Sequence, residues 1–415
     1  MYRILSVLLL LLTAAGCALA EPIAQWRGPN RDGVFPETGL LKSWPAEGPE
    51  LLWSLEDLDK GYSSVTVTGN RVYVTGNDGK TEFLTALDLQ GKRLWRVAYG
   101  GAVTRSYTDS RCTPTVEGDR VYVLSGQGEL ACINGGQGKI MWTVPVFNKF
   151  GGEYFNWEIA ENLLLVDDKV ICTPGGSQTT MVALNKNTGE TVWQTKSLND
   201  TTAFVSPILV PYGGKKIIVN VTTHYVLGVN AQDGNVLWQV DYHAIDTPTW
   251  NINAPKINCV TPLYHDGRIY ITSGYDHTSV MFRLTNNGNG IEQVWKNPVL
   301  DCHHGQVVRI GNYIYGSNWL DNSHGNWCCL DWTTGETKYE TEWETKGPVS
   351  AADGMLYCLD ERRGNLALVK AAPDGFNIVS SIRVRPGRGP YWAQPVIQDG
   401  VLYIRHGEAL LAYKI

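Results

Sequence analysis

The chain has 415 residues, 18% of them charged, and a formal charge of −6 spread without blocks of one sign, which excludes a nucleic-acid tail or a polybasic membrane patch. A hydrophobic fraction of 43% excludes a disordered chain. With 44 Gly, 15 Trp and 20 Tyr beside 8 Phe, the composition suits short strands joined by tight turns rather than helices.

Residues 1–20 read as a targeting segment. Arg3 supplies the positive region, Ile4 to Leu12 the apolar run, and Ala18-Leu19-Ala20 a peptidase site before Glu21. Ala14-Ala15-Gly16-Cys17 also loosely resembles a lipoprotein box, so a lipid anchor at Cys17 is the alternative to a free mature chain. In either case the expected location is secreted or periplasmic. Later apolar runs fall short of the ~20 residues that span a bilayer. Residues 21–50 are expected to form an extension that packs on the main domain, residues 51–415.

From Ser64 onward one pattern recurs. Pro114-Thr-Val-Glu-Gly-Asp-Arg-Val-Tyr-Val123, then Gly126 to Asn134, then Gly138-Lys-Ile-Met-Trp142 form one copy. Other copies end at Trp95, Trp193, Trp238 and Trp295, and a sixth closes on Gly335-Glu-Thr-Lys-Tyr339. A degenerate copy runs from Pro348 to about Ser381, and the last, Pro395 to Ile415, has three strands. Each copy carries short runs of alternating polarity separated by Gly, Asp or Asn turns. Pairs such as Asp266-Gly267, Asp353-Gly354 and Asp399-Gly400 favour hairpins. The reading is an all-β, eight-bladed β-propeller of four-stranded antiparallel blades. Leu51-Leu52-Trp53 supplies the missing outer strand of the last blade and closes the ring. The tryptophans at 53, 95, 142, 193, 238 and 295 are expected to lock blade to blade.

Val-Tyr-Val, Gly-x-Leu-x-Ala-Leu-Asp and Thr-Gly-Glu-x-x-Trp resemble the pyrroloquinoline-quinone (PQQ) propeller repeat. Trp26-Arg-Gly-Pro-Asn-Arg-Asp-Gly-Val34 and Gly39-Leu-Leu-Lys-Ser-Trp-Pro45 resemble secreted bacterial members of that superfamily. The resemblance implies the propeller fold. It leaves function open among quinone-dependent alcohol dehydrogenases, the propeller lipoprotein of the outer-membrane barrel-assembly machinery, and members with no known activity.

Strand polarity places seven of the eight histidines on one face, with His265 opposite. The same face carries the connections Phe147 to Trp157, Tyr242 to Asn258 and Trp319 to Asn326, whose rings Phe150, Tyr154, Phe155 and Trp250 form a candidate ligand platform. Inner strands are expected to begin near Arg111, Glu158, Glu161, Ser206, Asn258, Thr261, His304, Lys346, Trp392 and Gln394, ringing the upper channel, with His303 just ahead of one of them. That ring suits a small polar or anionic molecule. His277, His304, His324 and Asp321, from neighbouring blades, are the candidate metal ligands. A quinone dehydrogenase would also require Ca²⁺ on hard oxygens, for which Glu158, Glu161 and Asp321 are available, with Arg111 and Lys346 for charge. Cys132, Cys172, Cys329 and Cys358 read as buried free thiols; Cys328-Cys329 sits within one strand, and Cys259 with Cys302 is the better disulfide candidate. The functional expectation is a monomeric extracytoplasmic propeller that binds a small polar molecule or an envelope protein through its His- and aromatic-rich face. PQQ with Ca²⁺ is the cofactor to test, and a PQQ-dependent alcohol dehydrogenase or an envelope-assembly lipoprotein are the alternatives.

Overall fold

A computed structural model describes residues 22–102, 104–155, 157, 159–245 and 257–415. The targeting segment, Cys17, Glu158 and Trp250 therefore lie outside the described residues. Eight blades of four antiparallel strands follow one another along the chain, the seventh joined by one further, parallel strand. Blade 1 contains Thr66–Thr68, Arg71–Asn77, Thr81–Asp88 and Arg93–Gly101, and blades 2 to 7 repeat the order down to Asn377–Arg383. Blade 8 is built from Val396–Gln398, Val401–His406 and Ala409–Lys414, with Glu50–Leu55 as its outer strand. The pairing Leu51↔Tyr413 and Trp53↔Ala412 closes the ring as expected.

The repeat's residue preferences follow from how the outer strand is bent. In every blade the pairing of third and fourth strands shifts register directly before the Trp slot, leaving a residue such as Leu52, Leu94 or Met141 unpaired. This bulge turns the next side chain inward against the third strand. The residue facing the ring is small in most copies: Ala86 opposite Trp95, Cys132 opposite Trp142, Ala183 opposite Trp193, Cys329 opposite Tyr339. Five of the six Trp rings then reach the following blade through Nε1; that of Trp238 is buried without a hydrogen-bond partner among the described residues. Trp95 Nε1 donates to Gly135 O at 3.2 Å, Trp193 Nε1 to Ala231 O at 3.1 Å and Trp295 Nε1 to Trp332 O at 3.2 Å. Trp53 of blade 8 does the same to Leu89 O of blade 1 at 2.8 Å. The glycine of the receiving turn is obligatory. Gly335 has φ +75°, and a Cβ there would stand 2.5 Å from the Trp295 ring. The Asp-Gly pairs form two-residue hairpins with both residues left-handed, as at Asp266 (φ 46°) and Gly267 (φ 74°).

The cysteines expected as free thiols are free and fully buried. The candidate Cys259–Cys302 bond is not formed: Cys302 Sγ turns to Gln306 O at 3.3 Å, and Cys259 is a free, partly exposed thiol. Cys328 and Cys329 are likewise unbonded neighbours in Trp327–Asp331.

Residues 22–35 occupy the central channel. Ala24 exchanges backbone hydrogen bonds with Val116 on the inner strand of blade 2, at 2.9 and 2.7 Å. Val34–Phe35 pairs in parallel with the inner strand Val349–Ala352 of blade 7. Between these anchors two arginines reach sideways. Arg27 donates through Nη2 to Val307 O of blade 6 and, at 2.8 Å, to Asp32 O. Arg31 donates to Leu163 O at 3.0 Å and Asn162 O at 2.7 Å, beside blade 3. Both side chains are almost fully buried. Gly33 (φ +78°) permits the close passage, since a Cβ would meet Val308 Cγ1 at 2.8 Å.

Candidate functional site

Strand polarity sends two sets of connections to one face: outer strand to next inner strand, and second strand to third. Over the filled channel these connections enclose a cavity of about 310 Å³. Trp26, from the N-terminal segment, is part of its wall. Trp392 is a partly exposed ring in its wall, with Tyr62 at 4.8 Å, Tyr107 at 5.0 Å and His304 at 4.7 Å between centroids. His304 packs against His303 with centroids 3.9 Å apart and rings tilted by 38°, and His303 meets Tyr275, whose hydroxyl lies 3.0 Å from His303 Nε2. Trp157 and Phe204 complete the aromatic lining.

Polar groups at the cavity are mostly committed to the protein. Arg111 donates to Ser106 O at 3.1 Å and to Tyr107 O and Trp157 O. Glu361 binds Lys346 Nζ at 2.9 Å through Oε1 and accepts from Trp392 Nε1 at 3.1 Å through Oε2. Gln394 Nε2 donates to Gly305 O at 3.1 Å. Burial, then the charges of the neighbouring ring and Lys346, hold His303 well below the ordinary histidine range; burial chiefly lowers His304 as well.

Of the ten candidate ligand residues, Arg111, His303, His304, Trp392 and Gln394 line this cavity together. Lys346 stands behind it, bound to Glu361. Glu161 and Asn258 also lie behind the wall. Glu161 accepts from Thr173 N at 2.8 Å, and Asn258 donates to Thr222 O at 2.7 Å. Glu158 and Trp250 fall outside the described residues. The platform expected from Phe150 and Tyr154 is packing instead: Phe147 and Phe150 are buried, with Tyr154 5.7 Å from Phe147. The sequence reading missed Tyr62, Tyr107, Trp157, Tyr275 and Glu361; their only signal was position in top-face connections.

The four candidate metal ligands do not converge. His324 and Asp321 pair with each other on an exposed loop at 2.8 Å, His304 faces Glu361, and His277 packs on His243 at 4.7 Å. Among the described residues no group of three or more His, Cys, Asp or Glu could hold a metal ion.

Burial raises Glu161 to about 7 from 4.5. An acid whose pKa is higher in the folded state binds protons on folding. Its contribution therefore favours the fold below about 4.5 and fades as pH climbs toward 7. Glu161→Gln is expected to flatten that decline in urea titrations from pH 5 to 8, and parallel curves for variant and wild type would show the carboxyl is not responsible.

Residues 80–341 match the family model PQQ_2, described as outer membrane protein assembly factor BamB. The fold and this match place the chain among the PQQ-like propellers. It belongs to that BamB-type family. BamB of Alkalilimnicola ehrlichii is 27% identical over 168 residues, 39% of this chain and 38% of the relative. BamB of Moranella endobia is 23% identical over 238 residues, 54% of this chain and 55% of the relative. The chain thus spans between about two fifths and just over half of these relatives' length. Among solved structures, BamB from Moraxella catarrhalis superposes with a TM-score of 0.63 at 14% identity, over 88% of this chain and all of that one. Quinohemoprotein alcohol dehydrogenase from Comamonas testosteroni gives 0.63 at 11% identity, over 92% of this chain and 79% of that one. At such identities the likeness is one of fold.

The described residues do not fit PQQ with Ca²⁺. A calcium ion needs several converging hard oxygens. Glu161 is turned away onto Thr173, Asp321 is on an exposed loop with His324, and Glu361, the one carboxylate among the described lining residues, is already bound by Lys346 and Trp392.

Proposed function

We propose that the protein works outside the cytoplasm as a binding propeller that captures a small polar molecule in the aromatic cavity on its histidine-rich face. The observation that carries this reading is the cavity itself. It has about 310 Å³ of space, walled by Trp392, Tyr62, Tyr107, Trp157 and Phe204, over a channel already filled by the chain's own N-terminal segment. Apolar walls with a few polar groups are the usual make-up of a small-molecule site. A thermal-shift screen of quinones, sugars and divalent cations tests it. A bound compound raises the melting temperature of the wild type, and Trp392→Ala removes that response while the ligand-free melting temperature stays within a few degrees. A screen without response, or a variant that simply unfolds, overturns the reading.

The family match favours a second reading, docking to an envelope partner as an assembly lipoprotein. That role rests on acylation of Cys17. Mass spectrometry of the mature protein is expected to find Glu21 as the first residue, whereas an acylated Cys17 would favour the scaffold. Among the described residues no helix is long and apolar enough to cross a membrane.

A further inference from the structure

His304 sits between a fixed carboxylate and open space. Its Nδ1 is 3.5 Å from Glu361 Oε2, long for a finished hydrogen bond but within ion-pair reach. Glu361 cannot swing away. Lys346 Nζ holds its Oε1 at 2.9 Å while Trp392 Nε1 holds Oε2 at 3.1 Å, and Lys346 is itself tied to Asp321 O at 2.9 Å. Both side chains of the pair are 5% exposed or less. Such a carboxylate draws the imidazole hydrogen to Nδ1, because the opposite tautomer would set a lone pair against negative charge. Nε2 is then left as an acceptor. It has no hydrogen-bond partner among the described residues, and 24% of the His304 side chain remains accessible from the cavity. Burial and the nearby Lys346 charge outweigh Glu361 and keep the ring neutral near neutral pH.

We propose that His304 Nε2 accepts a hydrogen bond from the hydroxyl group of a neutral, ring-shaped ligand seated against Trp392, with Glu361 as the positioning residue. This rests on the reading of the cavity as a ligand site. A ring fits because the Trp392 indole is flanked by Tyr62 and Tyr107 within 5.0 Å between centroids, so that a flat or chair-shaped molecule gains large contact at small entropic cost. Neutrality fits because the charges near the cavity are already spoken for. Lys346 and Glu361 pair with each other, and Arg111 is turned onto backbone carbonyls. A cation would find its carboxylate already taken by Lys346, and an anion would have to draw the Arg111 donors away from the carbonyls they serve. The hydroxyl fits because an accessible lone pair in an apolar cavity needs a donor. Phenols and pyranoses share this chemistry. No bond is made or broken in the capture; the hydroxyl proton is shared with nitrogen and returned on release.

The test is nitrogen NMR of the full mature chain labelled at histidine, with His304→Gln used to assign the signal. The ligand-free protein should show His304 with hydrogen on Nδ1 and a bare Nε2. Phenol and methyl β-glucopyranoside are then titrated in separate arms, with anisole and the fully O-methylated glucoside as controls lacking the hydroxyl. One hydroxylated ring should shift the Nε2 signal, its control should not, and His304→Phe should weaken its binding about tenfold. Glu361→Gln with Lys346→Met removes the ion pair without stranding a charge, and should erase the tautomer preference in a protein that still melts cooperatively. A ligand-free signal reporting hydrogen on Nε2 overturns the proposal whatever the cavity binds. A bare Nε2 that neither hydroxylated ring moves, or that anisole or the methylated glucoside moves equally, overturns the ligand class and leaves the cavity reading to the thermal-shift screen.

Discussion

Arg405→Met should cost about 3–5 kcal/mol of stability, the range for breaking a buried hydrogen-bonded charge network. Arg405 lies on the second strand of blade 8, is 2% exposed, and spends its guanidinium on the seam where the ring closes. Nη1 donates to Ser63 Oγ at 2.6 Å and to Thr75 O of blade 1, Nη2 to Asp59 O at 2.8 Å, and Nε to Gly407 O at 3.2 Å. Burial lowers its pKa to about 10, with Asp109 and Asp59 opposing, so the side chain stays cationic at neutral pH. Methionine keeps much of the volume and none of the donors, leaving carbonyls of two blades unmatched. Urea unfolding followed by tryptophan fluorescence measures the effect. A loss below about 1 kcal/mol would mean that the seam is held by Leu51–Trp53 pairing and packing alone.

The second large effect concerns the segment inside the channel. Arg27→Ala with Arg31→Ala should lose at least about 4 kcal/mol, because each alanine strands backbone carbonyls and opens a void where a buried side chain had been. Burial lowers both arginines to about 10, so each remains charged at neutral pH although neither has a carboxylate bonded to it among the described residues. Their donors go to backbone carbonyls of blade 6 and beside blade 3, so the segment ties together non-adjacent parts of the ring. Wild-type stability in the double variant would reduce the segment to a passive filler.

The ring was legible because its signals are local and repeated. The Trp slot, the glycine that receives it and the Asp-Gly hairpins each need only a few neighbouring residues, and most of the eight copies repeat at least one of them. The channel segment was not legible. Trp26 to Val34 has no alternation, and the partners of Arg27 and Arg31 lie 280 and 131 residues away, where spacing carries no information. At the site the sequence identified the right connections but not the phase of each strand entry. Ala160 and Asn162 face the cavity while Glu161 between them does not, and Ile257 and Cys259 do while Asn258 does not. Successive side chains of extended backbone point to opposite sides, so an error of one residue exchanges wall for interior. His304, like Trp392 and Gln394, was entered in the correct phase. The metal set failed for a different reason: loops from neighbouring blades share a face without bringing their imidazoles together.

The central claim is that the chain's own N-terminal segment fills the channel and thereby leaves a cavity on the histidine-rich face. Native-state hydrogen exchange at Ala24, Val116 and Ala351 tests it most directly, since Ala24 N and Val116 N bond across to each other's carbonyls and Ala351 N donates to Gly33 O at 2.8 Å. The account requires all three amides to exchange as slowly as the inner-strand core, opening only with global unfolding. Rapid exchange at Ala24 and Ala351 while Tyr73 and Tyr122 stay protected would show a ring that folds with its channel open, and would contradict it.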